Sequence, residues 1–118
     1  MIGPLPATAL VGVGGAFGAV ARHVVGLRVA GRRSVVTVNA LGSLALGAVL
    51  AAPIGSAATL FVATGACGAF TTFSSFAVEA VSAATDGETD VAVGFAAANL
   101  AAALVAFLAG STLVGAVA

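Results

Sequence analysis

The stretch Thr64-Gly65-Ala66-Cys67-Gly68-Ala69-Phe70-Thr71-Thr72-Phe73-Ser74-Ser75-Phe76 decides the fold. It holds two glycines, three threonines, two serines and three phenylalanines, with almost no aliphatic bulk. It lies inside an apolar segment running from about Ala57 to Ala84. At about 1.5 Å per helical residue, that segment is longer than a bilayer core of about 30 Å requires. The excess fits two helical pieces joined by an irregular break around Gly68 to Thr71. Irregular backbone is tolerated in a membrane only where protein buries it or where it lines a cavity. Its freed carbonyls favour a cation, and broken helices use such carbonyls as ion ligands.

The rest of the chain has the composition that such a reading needs. Of 118 residues, 61% are hydrophobic and 7% charged, with mean hydropathy +1.23. A soluble domain carries about 25% charged residues. This chain could not cover its own surface in water, so lipid is its natural solvent. The charged residues divide it into four apolar pieces near the roughly 20 residues of a spanning helix. We read one all-α integral membrane domain over residues 1–118, with spans at about 6–25, 35–52, 57–84 (broken near 68–71) and 91–113. The runs are uniformly apolar, whereas barrel strands alternate, so a closed β-barrel is disfavoured. No basic segment precedes the first span, which reads as a retained helix and not a signal peptide. The single cysteine, Cys67, excludes an intrachain disulfide and reads as a small packing residue.

Small and polar residues give these spans faces. Gly14 and Gly18 form a small-xxx-small pair that lets helix backbones approach closely in lipid. Ala102, Ala103, Ala106 and Gly110 make a similar smooth flank on the fourth span. In the second span, Asn39, Gly42, Ser43, Leu46 and Gly47 recur at helical spacing. Asn39 and Ser43 lie one turn apart, and an Asn in lipid must find a partner. Asn99 is the one strongly polar residue within the fourth span. Arg22 lies near the end of the first span, where it reads as an anchor, a buried structural cation or a lure for anions at a vestibule. Glu79 is the only acidic residue within a span, and reads as a paired or functional carboxylate or as a solvated helix end. Thr85-Asp86-Gly87-Glu88-Thr89-Asp90 is too short and irregular for a calcium loop and reads as a solvated turn.

Catalytic signatures are missing. There is no phosphate loop, dinucleotide fingerprint, metalloprotease helix or Cys/His cluster, and His23 is the only histidine. A base and nucleophile cannot be placed, so the chain is not read as an enzyme. Transport or conduction fits better. The path candidates are Asn39, Ser43, Thr71, Thr72, Phe73, Ser75, Phe76 and Asn99. They supply amide and hydroxyl donors and the positive edges of aromatic rings. Such a wall stabilises a small dehydrated anion without a trapping charge, and conduction requires binding weak enough for release.

Three segments carry a resemblance to a known family: Gly14-Gly15-Ala16-Phe17-Gly18-Ala19-Val20-Ala21-Arg22, Val38-Asn39-Ala40-Leu41-Gly42, and Gly65 through Phe76. The chain resembles the CrcB/Fluc fluoride channels over essentially its whole length, and the third segment is the specific one. The resemblance implies an antiparallel, dual-topology dimer with two fluoride pores and passive export of cytoplasmic fluoride. It implies that Phe73 and Phe76 form part of an aromatic box and that Asn39 is the pore asparagine of the second span. Asn99 matches an asparagine of the fourth span. The backbone carbonyls of Gly68 and Thr71 would hold a structural Na⁺ at the dimer axis. Arg22 and Glu79 match a recurrent arginine and glutamate. Two departures stand out. Ala102-Ala103 replaces a frequent Gly-Ser pair, which removes polar lining, and His23 replaces an aromatic.

Four spans put the first and third loops on one side, and all four arginines lie there. The positive-inside rule then predicts a plasma-membrane protein with the arginine-bearing loop in the cytoplasm and both termini outside. That bias conflicts with one sequence inserting both ways, so a heterodimer with an oppositely oriented homologue is expected beside the homodimer. Two rival readings share the size. A small multidrug exporter would need a carboxylate in the first span, which carries Arg22 instead. A non-conducting assembly subunit would explain the glycines but not the Thr/Ser/Phe stretch.

Overall fold

The computed structural model describes residues 2–118. Helix α1 (Pro4–Arg28) begins on proline, whose missing N–H and fixed φ suit the first turn of a helix. Gly31, at φ 65°, turns the chain into α2 (Arg32–Ala51), and Pro53 follows its end. The third span, Ser56–Thr85, is two helices. The first, α3 (residues 56–70), contains a π-helical stretch, Leu60–Cys67. The second is α4 (Ser74–Thr85). Gly87, at φ 81°, then turns the chain into α5 (Thr89–Val117). Left-handed φ values at both turns suit a residue without Cβ. All four spans are long and apolar enough to cross a membrane. The long axis measures 51 Å, enough for a bilayer with its headgroups.

The break in the third span falls slightly later than the sequence implies. Helical geometry continues through Gly68–Phe70, and the chain leaves it at Thr71, with φ −78° and ψ 163°. Helical order returns at Ser74.

Two close helix crossings organise the fold. α1 packs mainly on α3, and α2 on α5. Both are written in glycine. A methyl at Gly14 would fall on the Phe61 carbonyl, and one at Gly18 on the Ala66 carbonyl. Gly47 meets the Phe107 carbonyl in the same way, and Gly110 meets the Leu44 carbonyl. Dispersion between close backbones replaces the hydrophobic effect, which has no force between apolar helices in lipid. Gly110→Ala is therefore expected to destabilise the α2–α5 crossing by about 1–3 kcal/mol, read as a lower unfolding midpoint in detergent. A methyl at Gly12 would meet no described atom within 4 Å beyond its own helix backbone. Gly12→Ala is expected to leave the midpoint unchanged or raise it.

Isolated hydroxyls in the helices are satisfied locally. Thr8, Thr37, Thr59 and Thr112 each donate to the carbonyl four residues earlier. The large apolar side chains are mostly exposed, as lipid-facing or partner-facing residues must be, and among the described residues Val38 is the one large side chain fully enclosed.

Candidate functional site

The break is held by side chains from two other helices, one of them braced by a third. At the end of α3, the Thr71 N–H and hydroxyl both donate to the Cys67 carbonyl, at 3.1 and 3.0 Å. These bonds cap the helix and release the chain into extended geometry. The next residue, Thr72, is buried. Its N–H donates to Asn39 Oδ1 at 2.8 Å, and its carbonyl accepts from Asn39 Nδ2 at 3.1 Å. One carboxamide from α2 thus satisfies both polar groups of a peptide that helix geometry has abandoned. In a membrane those groups have no water to turn to. The Thr72 hydroxyl accepts from the Ser75 N–H at 3.1 Å, covering a donor in the first turn of α4.

Two more contacts tie this point to the bundle. Asn39 Nδ2 also donates to Asn99 Oδ1 on α5, at 3.1 Å. Arg22 Nη1, from α1, donates to the Thr71 carbonyl at 3.3 Å. The guanidinium is half-buried and serves the break directly. The sequence offered no sign of this pairing, because 49 residues separate the partners.

Beside the break lies a cavity of about 570 Å³. It collects Asn39 and Ser43 from α2, Thr72, Phe73 and Phe76 from the third span, and Asn99 from α5. Gly68 and Thr71 border it as well. Among the described residues, no charged side chain lines it. Phe73 lines the cavity while remaining 78% exposed, so the cavity opens to the surface there. The Phe76 ring lies 5.8 Å from Phe73 and 5.4 Å from Phe95, both tilted, as aromatic pairs prefer.

Not every sequence candidate joins this group. Ser75 and Glu79 border a separate, smaller opening of about 250 Å³ with Ser74 and Val78. Glu79 also shares an opening with Arg28 at the end of α1 and Arg32 and Arg33 at the start of α2. Ala103 lines the main cavity, so a methyl stands on its α5 wall. One residue was missed. Phe95 is buried and backs Phe76. It precedes Asn99 by four residues and so shares its helix face. That spacing was the available signal.

Comparison with known proteins bears on the same residues. A family model described as CrcB-like protein, Camphor Resistance (CrcB), matches residues 9–111. The chain belongs to the CrcB family. The match takes in the glycine face of α1, Asn39, the whole break and Asn99. Relatives in the family carry a more explicit name. A fluoride-specific ion channel FluC 2 of Natronomonas pharaonis is 55% identical over 105 residues, covering 87% of this chain and 90% of the relative. Another FluC 2, of Haloarcula marismortui, is 46% identical over 99 residues, covering 81% and 83%. A fluoride-specific ion channel FluC 1 of Thermobifida fusca is 36% identical over 112 residues, covering 90% and 93%. With four spans and CrcB membership, the chain is a multi-pass membrane protein.

Proposed function

We propose that the chain is a fluoride channel subunit that lowers cytoplasmic fluoride by passive export. It is not an enzyme. The observation that carries the reading is one uncharged cavity joining the Asn39–Asn99 carboxamide pair to the rings of Phe73 and Phe76. Amide N–H groups and ring edges stabilise a small anion while it is stripped of water. No fixed positive charge lines the wall to hold the anion there. Relatives named as fluoride-specific channels support the choice of ion. Export needs no energy source beyond the membrane potential. Hydrogen fluoride enters as a neutral acid and ionises in the cytoplasm. An inside-negative potential then favours exit of the anion by about 2.3 kcal/mol per 100 mV.

The break also fits a structural Na⁺. The Gly68 carbonyl accepts no hydrogen bond from a described residue, and a Cβ built at Gly68 would meet open space. The Thr71 carbonyl already accepts from Arg22. A carbonyl oxygen has two lone pairs, so cation and guanidinium can share it at the expense of mutual repulsion. The two ends of the break suit opposite charges. The α3 C-terminus turns carbonyls toward it, whereas the α4 N-terminus brings N–H groups at Phe73 to Phe76. A bound Na⁺ would tie carbonyls together and supply a fixed positive charge beside the path.

Exposed Phe73 at the cavity mouth favours an antiparallel dimer in which a second subunit supplies the missing wall. The arginines of the first loop favour a cytoplasmic position for that loop and outside positions for both termini. The same bias favours an oppositely oriented homologue as partner. Expression in a fluoride-sensitive host without its own exporter tests the reading, with and without a candidate partner gene. Growth on fluoride medium is expected in at least one case. Failure in both, with the protein present in the membrane, contradicts the assignment. For orientation, an Ala30→Cys label is expected from the cytoplasmic side alone. Equal labelling from both sides would remove the heterodimer.

A further inference from the structure

The chain has two carboxamide side chains, Asn39 and Asn99, and no glutamine. They are bonded to each other, and the backbone fixes which way round. A peptide N–H can only donate, so the Asn39 atom at 2.8 Å from the Thr72 nitrogen must be its oxygen. Asn39 Nδ2 is then turned toward the Thr72 carbonyl and toward Asn99, at 3.1 Å each. Both of its hydrogens are used. The Asn99 atom that faces it must therefore be an oxygen, because the flipped amide would set one NH₂ group against another. What remains is the Asn99 NH₂ group.

That group has no hydrogen-bond acceptor among the described residues. No buried side-chain nitrogen or oxygen there lacks a partner, so the Asn99 nitrogen is not sealed in the packing. Asn99 lines the cavity beside Phe76 and Leu100. Its NH₂ is the part of the carboxamide pair left free for an occupant.

We infer that Asn99 is the carboxamide that touches the anion, and that Asn39 is a positioning residue which orients it. The inference rests on the fluoride reading and deepens it. Polarity passes from the Thr72 N–H, through Asn39, to Asn99. The wall therefore presents a donor to the cavity, and the same two side chains in the reverse order would present a carbonyl oxygen. Anion over cation selectivity at this point thus originates in a backbone amide of the broken span. The pore role expected for Asn39 moves to Asn99 by one hydrogen bond.

Selective ¹⁵N-asparagine labelling tests this directly, because it yields two side-chain NH₂ signals. Asn99→Asp removes one of them and so assigns both. On titration of the wild-type protein with sodium fluoride, against sodium chloride as control, the Asn99 NH₂ signals are expected to shift with fluoride alone. Those of Asn39 are expected to move much less. Asn99→Asp removes the donor and sets a carboxyl group in its place, and is expected to lower fluoride flux at least about tenfold, the loss of one hydrogen bond to a charged partner with like-charge repulsion added. Its Asn39 signals should report a retained bond to Thr72. A fluoride shift confined to Asn39, or no shift at either residue in protein that conducts fluoride, overturns the inference and leaves the channel assignment standing. Absence of fluoride flux in the wild-type protein overturns both.

Discussion

Asn39→Leu is expected to abolish fluoride flux and to destabilise the protein more than any other single substitution in the cavity wall. Leucine keeps the branched skeleton of asparagine but is bulkier, so some overpacking at this buried site adds to the loss. What disappears is the clamp on the break. The Thr72 N–H and carbonyl both lose their partner, and the residue is 7% exposed. A buried polar group left unpaired costs about 1–3 kcal/mol, and water cannot replace the partner in a membrane. Two such groups imply a loss of about 2–6 kcal/mol. Asn99 would also lose the bond that sets its orientation. Thermal unfolding in detergent and flux in liposomes check the two halves. Wild-type stability would show that the break is held by something other than Asn39.

Phe76→Ile is expected to reduce flux at least about tenfold while leaving the fold intact. Isoleucine keeps the apolar bulk but removes the ring edge. Phe76 sits between Phe73 and Phe95, and each aromatic pair contributes about 0.5–1.5 kcal/mol beyond area burial. A modest fall in unfolding midpoint should accompany the loss of flux. The same change at Phe73 should cost an isolated subunit little stability, because that ring is largely exposed. Unchanged flux in Phe76→Ile would take this ring out of the path.

The spans were legible because charge is so sparse. Arg28 to Arg33 and Asp86 to Asp90 can lie only at helix ends, so the apolar runs between them mark the crossings. The glycine faces were legible as well, since Gly14, Gly18 and Gly110 have helical spacing and small-residue neighbours. The break was visible in kind but misplaced by a short distance. Gly68 looks like a helix breaker, yet Gly68 to Phe70 remain helical, and the turn occurs where Asn39 can receive the Thr72 peptide. Nothing in the local sequence marks that point, because its stabilising partner lies in another helix.

The same limit explains what the sequence left out of the site. Asn39 and Asn99 are 60 residues apart, and only the α2–α5 crossing brings them together. Arg22 could be seen as a costly charge near a span end, but not as a donor to Thr71. Ser75 shares its turn with path residues, yet the helix turns it toward Glu79 and a different opening. Phe95 lies one turn before Asn99, but only the fold sets its ring behind Phe76. The π-helical stretch Leu60–Cys67 has no local signal that distinguishes it from an α-helix.

Fluoride efflux from sealed liposomes tests the whole account most directly. The protein is reconstituted with its partner where one is required, and a fluoride electrode follows release down a concentration gradient, with valinomycin and potassium clamping the potential. Rapid, protein-dependent fluoride release is expected, with no comparable release of chloride under the same gradient. Well-folded protein that releases no fluoride, or that passes chloride equally well, contradicts an uncharged donor-lined path for a small anion.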